Sequence, residues 1–592
     1  MNIHNKNIFR LTLNRFAAAV LGAMVLGAAT LFTTGLANAK VGAIAATSPW
    51  AISYSSTSMG AFRQYNALLS RAGVKWVRIF PEWAGVEPKR GEYHWSFADA
   101  LVKNAKKDHL QITGFFGYLA PWASANGDTR TFPLRHWSYW REHVRSEVAR
   151  YKNYIHYWEI YNEFNGSFAN ARHKAKTYAK LMVEAYNTAR SVDPHAKIIM
   201  SCANFDVGFF DRVIKDGGAG HFNVIAVHPY ELLAGVMQRG QEANFLSMTA
   251  SLRHMLAKNH QPTNIPLWIN EVGYGEPMTA KGNAIEAQAV VKLYVLSLAE
   301  GFQRIFWYQP GGNSGLVIGH FQPRPSYFAY KNLTSLLGQD PRYVGWLNPN
   351  KKGYGFVFQG AAGPVLAAWL PAGETGQIRF HAPVQVVSVT GTTTTLPANT
   401  PLDLTNVPVL VSDVPAATVA LAQSHHHKPF PWGGDYTKAK TVYCQLGAVN
   451  INHGLSQVKP GTTAVVNGLT ATWRRPRFND AALHGEGRYI YFSLAPTFAA
   501  SGAKDVKITI TARRMHNRPA GMGLMYESVK GYRGAPGYWS IPAGKKWHSH
   551  SWTIHDGDFS QAWGFAFRAD ASGSPNEFYV KEARVTKLQA HQ

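Results

Sequence analysis

The chain has 592 residues, too many for one domain, and its 46% hydrophobic and 16% charged content excludes a disordered protein. Sixty lysines and arginines against 35 acidic residues give a net charge of +25, but no nucleic-acid-binding motif accompanies them, so nucleic acid is not the expected partner. The two cysteines, Cys202 and Cys444, exclude a disulfide framework and leave stability to packing.

Residues 1–39 read as a leader. Lys6, Arg10 and Arg15 form a positive start, an apolar run follows, and Ala37-Asn38-Ala39 matches an A-x-A cleavage site. Cleavage is expected to release the chain as a secreted or periplasmic protein with no stable membrane insertion. An uncleaved anchor is the competing reading, and no later segment is apolar for the roughly 18 residues a span needs.

From residue 50 to about 337, short apolar strands alternate with longer helical patterns. Strands are predicted at 50–54, 75–80, 111–118, 156–162, 197–203, 223–230, 266–270 and 304–308, with amphipathic stretches such as 171–192 and 284–300 between them. Eight strands in this order predict an α/β fold, a (β/α)8 barrel over 40–337. An open doubly wound sheet is the competitor, but it calls for a Gly-rich phosphate turn after an early strand, and none is present.

Two glutamates stand out on this frame. Glu163 closes the run His156-Tyr157-Trp158-Glu159-Ile160-Tyr161-Asn162, and Glu271 closes Pro266-Leu267-Trp268-Ile269-Asn270. Each falls where a strand gives way to a Gly-bearing loop, at the barrel face where catalytic groups gather. A buried charge is costly unless paired, so a carboxyl at a strand mouth is a poor structural choice. Two carboxyls facing one cavity are what glycosidic bond cleavage requires. Arg78 on the second strand, Trp122 after the third, His228 and Tyr230 on the sixth and Trp307 on the eighth are the other candidates. Glu82, Glu87, Glu159 and Glu276 read as peripheral, and Trp83 as loop packing or sugar contact. Neither a metal nor an organic cofactor is implied.

Taken together, Asn162-Glu163, Glu271, Arg78, His228, Tyr230 and Trp307 resemble the clan A retaining glycoside hydrolases. The segment from Trp83 through Glu87, Pro88 and Gly91 to Tyr93 also resembles the loop after strand two in that clan. Within it the likeness is closest to family 39, the β-xylosidases and exopolysaccharide-cleaving glycosidases. Phe164 departs from the proline that many relatives carry after the catalytic glutamate. The resemblance implies that Glu163 is the acid/base and Glu271 the nucleophile. It also implies that Asn162 bonds a sugar hydroxyl, and that Arg78 and Tyr230 hold Glu271 ionised. Burial against Trp158 or Tyr161 is expected to raise the pKa of Glu163.

Beyond the barrel, short strands over 338–415 predict a small β-domain. The stretch 416–435, with His425-His426-His427 and a Pro-rich end, predicts a linker. Residues 436–592 predict a jelly-roll-like β-sandwich, a candidate carbohydrate-binding module. Its stacking rings would come from Trp473, Tyr526, Trp539, Trp547 and Trp552. The whole reads as an exported, retaining, endo-acting β-glycoside hydrolase. The substrate would be a polysaccharide or oligosaccharide, an acidic glycan being one reading of the charge. The alternatives are an exo-acting β-xylosidase or β-glucosidase and, from another class, a non-catalytic polysaccharide-binding matrix protein.

Overall fold

The structure, a computed structural model, describes residues 47–55, 58–447, 450–458, 463–466, 469–473, 489–498, 504–559, 561 and 565–588. The leader expected over 1–39 lies outside them. Among the described residues, no helix is long and apolar enough to cross a membrane.

Eight parallel strands close into a barrel: β1 (Trp50–Ser53), β2 (Trp76–Arg78), β3 (Gln111–Phe116), β4 (Tyr157–Ile160), β5 (Lys197–Ala203), β6 (Val224–His228), β7 (Leu267–Val272) and β8 (Arg304–Tyr308). Closure is through β1, which pairs Ala51 with Trp76 on one side and with Phe306 on the other. The strands are buried on both faces, which explains their unbroken apolar runs, as in the wholly buried Val-Ile-Ala-Val-His of β6. This is the predicted (β/α)8 fold.

The outer ring holds α1 (Met59–Arg71), α2 (Ser96–Lys107), α3 (Trp137–Tyr151), α4 (Lys174–Val192), α5 (Val207–Val213), α6 (Met248–Lys258), α7 (Ala280–Glu300) and α8 (Pro325–Leu337). In α4 the buried Tyr178, Leu181, Met182, Ala185 and Ala189 recur every three or four residues, so one stripe faces the barrel. Helix α7 starts where the Thr279 hydroxyl caps the Gly282 amide and stops at Gly301, in the left-handed conformation that favours glycine.

Inside the barrel, at the N-terminal ends of the strands, Arg304 lies 3.9 Å from the Trp76 ring, 4.4 Å from Trp268 and 4.9 Å from Tyr157. Ala51, Ile199, Val224, Ala226 and Phe306 pack around these rings. Contacts of a cation with aromatic faces are worth about 0.5–2 kcal/mol each, more as water is excluded, so Arg304 plugs this end of the barrel. The opposite end is left for the site.

Strand ends differ from expectation where the backbone turns sharply. Strand β4 stops at Ile160 because Tyr161 and Glu163 take left-handed φ values of 57° and 47°. Strand β6 ends at His228, and Tyr230 opens a helix, Tyr230–Arg239, behind Pro229. Strand β7 runs through Glu271 to Val272.

After the barrel, β9 (Arg342–Leu347), β10 (Tyr354–Gln359), β11 (Pro364–Trp369), β12 (Val384–Val387), β13 (Thr393–Leu396) and β14 (Val409–Ser412) form one sheet in the order β9-β10-β11-β14-β12-β13. A buried Glu242 oxygen ties this sheet to the barrel, accepting from Lys292 of α7 at 3.0 Å and from the Trp369 indole at 3.1 Å.

Where the sequence predicts a linker, the chain instead forms α9 (Ala416–Gln423) and packs on β9 and β10. His425 donates to the Trp346 carbonyl at 3.0 Å and His426 to that of Val344 at 2.8 Å, while the Trp432 indole donates to Gly353 at 3.0 Å. These histidines serve backbone acceptors, which composition alone could not reveal.

The C-terminal antiparallel sheet comprises β15 (Thr441–Gln445), β16 (Ile451–His453), β17 (Leu455–Val458), β18 (Tyr489–Leu494), β19 (Lys504–Arg514), β20 (Gly521–Ser528), β21 (His548–Gly557), β22 (Phe567–Asp570) and β23 (Phe578–Lys587). They lie in the order β16-β15-β23-β19-β21-β20-β22-β18-β17 around a separate core. Tyr526, Trp539 and Trp552 are buried in that core and present no face to a sugar. Trp547 is half-buried, with Arg513 at 5.3 Å and Lys581 at 5.8 Å from its ring. The Trp473 side chain lies outside the described residues.

Candidate active site

The C-terminal ends of the barrel strands converge on Arg78. Its Nε donates to Glu159 at 2.5 Å, and its Nη2 donates to Glu159 at 3.2 Å and to Asn162 at 2.7 Å. Its Nη1 donates to Glu271 at 2.6 Å and to Ser53 at 3.0 Å. One guanidinium thus registers strands β1, β2, β4 and β7. Burial opposes its charge, but the two carboxylates outweigh burial and hold its pKa above the ordinary value.

Glu271 also accepts from the Tyr230 hydroxyl at 3.0 Å, which leaves its carboxylate gripped from two sides. Burial, and then the charge of Glu271, push the Tyr230 phenol well up, so it stays a donor. Glu163 hangs from the turn after β4, where Gly166 N–H closes on its carbonyl at 2.8 Å. The left-handed backbone at Glu163 is the kind of strain that persists only where the surroundings enforce it.

His228 Nδ1 lies 2.8 Å from Glu163 Oε1, and its Nε2 lies 4.0 Å from Glu159. The imidazole therefore sits between two carboxylates. Burial works against its charge, but Glu271 and the Glu163 hydrogen bond prevail and raise its pKa. The expectation for Glu163 is overturned in direction. Burial does push its carboxyl up, but the His228 hydrogen bond and the charges of His228 and Arg78 together leave it below its ordinary value.

Glu163, His228 and Glu271 each offer an atom within 4.8 Å of the others. This spacing would suit a metal ion, but Glu163 Oε1 already faces His228 Nδ1, and the two Glu271 oxygens accept from Tyr230 and Arg78. Two carboxylates this close match the spacing of about 5–5.5 Å between the paired groups of retaining glycosidases.

A cavity of about 540 Å³ opens over the site, lined by Arg78, Asn162 and Glu271 together with Tyr54, Tyr118 and Tyr308 among other residues. The Asn162 amide donates to the Tyr118 hydroxyl at 3.1 Å, which fixes its orientation. Trp307 is fully buried, its indole bonded to the Ser314 carbonyl at 2.7 Å, and the next residue, Tyr308, reaches the cavity wall. Trp122 is engaged in the loops, donating to the Glu87 carbonyl at 2.8 Å and packing on Trp83. Glu159, read as peripheral, is central. A charged residue inside an otherwise apolar strand was the available signal, since it demands a buried cation, and Arg78 of β2, two strands away across β3, supplies it.

Parts of the chain match known glycoside hydrolases. The model for glycosyl hydrolase family 10 matches residues 39–204, and that for the N-terminal domain of glycosyl hydrolase family 79 matches 136–283. Endo-1,4-beta-xylanase 3 of Hypocrea jecorina is 27% identical over 166 residues, covering 26% of this chain and 45% of that protein. Endo-1,4-beta-xylanase 2 of Claviceps purpurea is 30% identical over 132 residues, covering 20% and 38%. The chain thus spans less than half the length of these curated relatives. Among solved structures, a family 39 glycoside hydrolase from Bacteroides cellulosilyticus WH2 shares the fold with a TM-score of 0.53 at 20% identity, over 61% of this chain and 80% of that one. Parts of the chain are thus similar to glycoside hydrolases of families 10 and 79, and its barrel shares the fold of a family 39 enzyme.

Proposed function

We propose that the protein is an exported, retaining, endo-acting β-glycoside hydrolase of polysaccharides, with Glu271 as nucleophile and Glu163 as acid/base. The observation that carries this reading is the pair of carboxylates within 4.8 Å, one gripped by Arg78 and Tyr230 and the other bonded to His228. In the first step the Glu271 oxygen bonds to the anomeric carbon and the glycosidic C–O bond breaks. The proton shared by Glu163 and His228 passes through Glu163 to the departing oxygen.

In the second step water attacks the anomeric carbon, Glu163 takes its proton, and the bond to Glu271 breaks. The electrostatics favour this order. The charge of Glu271 is the largest influence raising the His228 pKa. Once Glu271 is esterified, that support is lost. His228 then favours its neutral form, and Glu163 is left as the carboxylate base the second step needs. Asn162, held by Arg78 and Tyr118, would bond the sugar's 2-hydroxyl.

The leader-like start of the sequence favours export, and the endo-1,4-beta-xylanase names of the curated relatives favour internal cleavage of a β-glycan. The basic charge favours an acidic polymer. The test is a panel of β-glycan oligomers, beginning with β-1,4-xylan, with product sizes read by mass. Products of several lengths support endo action. Release of single sugars from a chain end would make it an exo-glycosidase, and no turnover on any backbone would return the protein to the binding class.

A further inference from the structure

The cavity wall carries one cation that the catalytic reading leaves unused. Arg130, in the loop after β3, lines the cavity with Tyr118, Phe168 and Asn162. Its guanidinium lies 5.0 Å from the Tyr118 ring and 4.8 Å from the Phe168 ring. The two rings are stacked, with centroids 5.7 Å apart and planes within 10°.

The loop backbone is fixed as well. Asn170 N–H donates to the Arg130 carbonyl at 2.8 Å, and Phe132 N–H to that of Asn170 at 2.9 Å. The nearest carboxylate in sequence, Asp128, is turned to the loop itself, accepting from the Arg130 amide at 2.7 Å and the Thr131 hydroxyl at 3.2 Å. Among the described residues, the Arg130 guanidinium has neither a hydrogen-bond nor an ion-pair partner.

Arg78 and Arg130 differ in how their charge is met. Arg78 has its charge answered by Glu159 and Glu271 and every arm occupied. Arg130 is exposed, aimed by two rings, and its fork of donors is unspent. A side chain as mobile as arginine does not hold such a place without ordering contacts, and stacking on Tyr118 and Phe168 supplies them. Tyr118 connects it to the catalytic shell, because its hydroxyl accepts from Asn162. Glu82 is also on the wall, so the cavity is not uniformly positive and a local contact, rather than general attraction, must do the reading.

We infer that Arg130 binds a carboxylate on the sugar chain held in the cavity, so the preferred substrate carries uronic acid residues. A planar carboxylate matches the guanidinium fork in two parallel hydrogen bonds, which a neutral hydroxymethyl group cannot. This rests on the hydrolase reading of the same cavity and adds to it the substrate class and the residue that selects it.

The test uses the full-length protein and three uronate-bearing β-glycans of different backbone, glucuronic-acid-substituted β-1,4-xylan among them. Each is paired with its carboxyl-reduced form, in which the acid is a primary alcohol. Cleavage is scored as kcat/KM, and binding of short fragments by affinity electrophoresis. The wild type should prefer at least one acidic glycan over its reduced partner. Arg130→Gln should lose about 10- to 100-fold on the acidic form and stay within about twofold on the reduced one. Arg130→Lys should recover part of the preference, since it restores charge but not the fork.

Equal losses on both forms, or no preference in the wild type for any acidic glycan by either readout, would overturn the inference. Arg130-dependent binding without cleavage of any glycan would support the subsite and refute the hydrolase reading. Cleavage with no acid preference would do the reverse.

Discussion

Replacing Glu159 by glutamine probes the centre of the site without touching either carboxylate proposed to react. Glu159 is 0% exposed and takes two hydrogen bonds from Arg78, whose remaining donors hold Glu271 at 2.6 Å and Asn162 at 2.7 Å. The variant keeps the shape and loses the charge, so one guanidinium faces one carboxylate instead of two. Breaking a buried pair costs about 3–5 kcal/mol, and because Glu271 remains to balance Arg78, the lower end applies, about 3 kcal/mol. At about 2 °C per kcal/mol for a domain of this size, Tm should fall by about 6 °C. The guanidinium should also shift toward Glu271 and drag Asn162, and a misplacement of about 1 Å costs about 100-fold in rate. Calorimetry and initial rates on the best oligomer from the panel check both numbers, with Asp216→Asn, exposed and outside the cavity lining, as a control expected near wild type. A Glu159→Gln protein that melts within about 2 °C of the wild type and keeps most of its activity would refute the reasoning.

Glu163→Gln should fold normally and lose about 100- to 10,000-fold on natural linkages, where the departing oxygen needs a proton. The loss should be far smaller on aryl glycosides whose leaving groups need none, and equal losses on both substrates would contradict the acid role. The alkaline limb of kcat/KM should lie above the ordinary histidine value of 6.5, because loss of the shared proton follows the raised His228 pKa. In His228→Asn the limb should move to lower pH, as Glu163 then titrates alone. Stability follows the same sign: the His228 contribution is full below about 6.5 and fades as pH rises through its raised folded value, so thermal melts of the two proteins should converge at alkaline pH. The buried Asp558 of the C-terminal sheet pairs with Arg212 of α5, so Asp558→Asn should lower Tm while leaving kcat on short oligomers within about twofold. The pair is partly exposed, so its worth is about 1–2 kcal/mol.

Much of this was readable in the sequence because barrel strands are apolar on both faces and recur at regular spacing. That rhythm located all eight strands, and with them the level at which Arg78, Glu163, His228 and Glu271 meet. What it could not supply was backbone geometry and pairing. The left-handed turn through Tyr161 and Glu163 runs against the preference of an aromatic residue, so nothing in the local sequence announced it. Glu159 looked peripheral because its partner lies 81 residues earlier, on β2. The direction of the Glu163 shift was missed because burial was legible from Trp158 and Tyr161, while the imidazole at 2.8 Å arrives from β6. Trp307 and Trp122 show the same limit, since whether an indole faces a cavity or a carbonyl is set by loops far along the chain.

The central claim is that Glu271 forms a covalent bond to the sugar. A 2-deoxy-2-fluoro glycoside with a good leaving group, built on the sugar identified by the panel, slows the second step more than the first and traps that bond. Mass spectrometry of the digested protein should find one added sugar, on the peptide carrying Glu271, and Glu271→Gln should remain unlabelled. A label on any other residue, or an inverted anomer as the first product seen by NMR, would contradict the account.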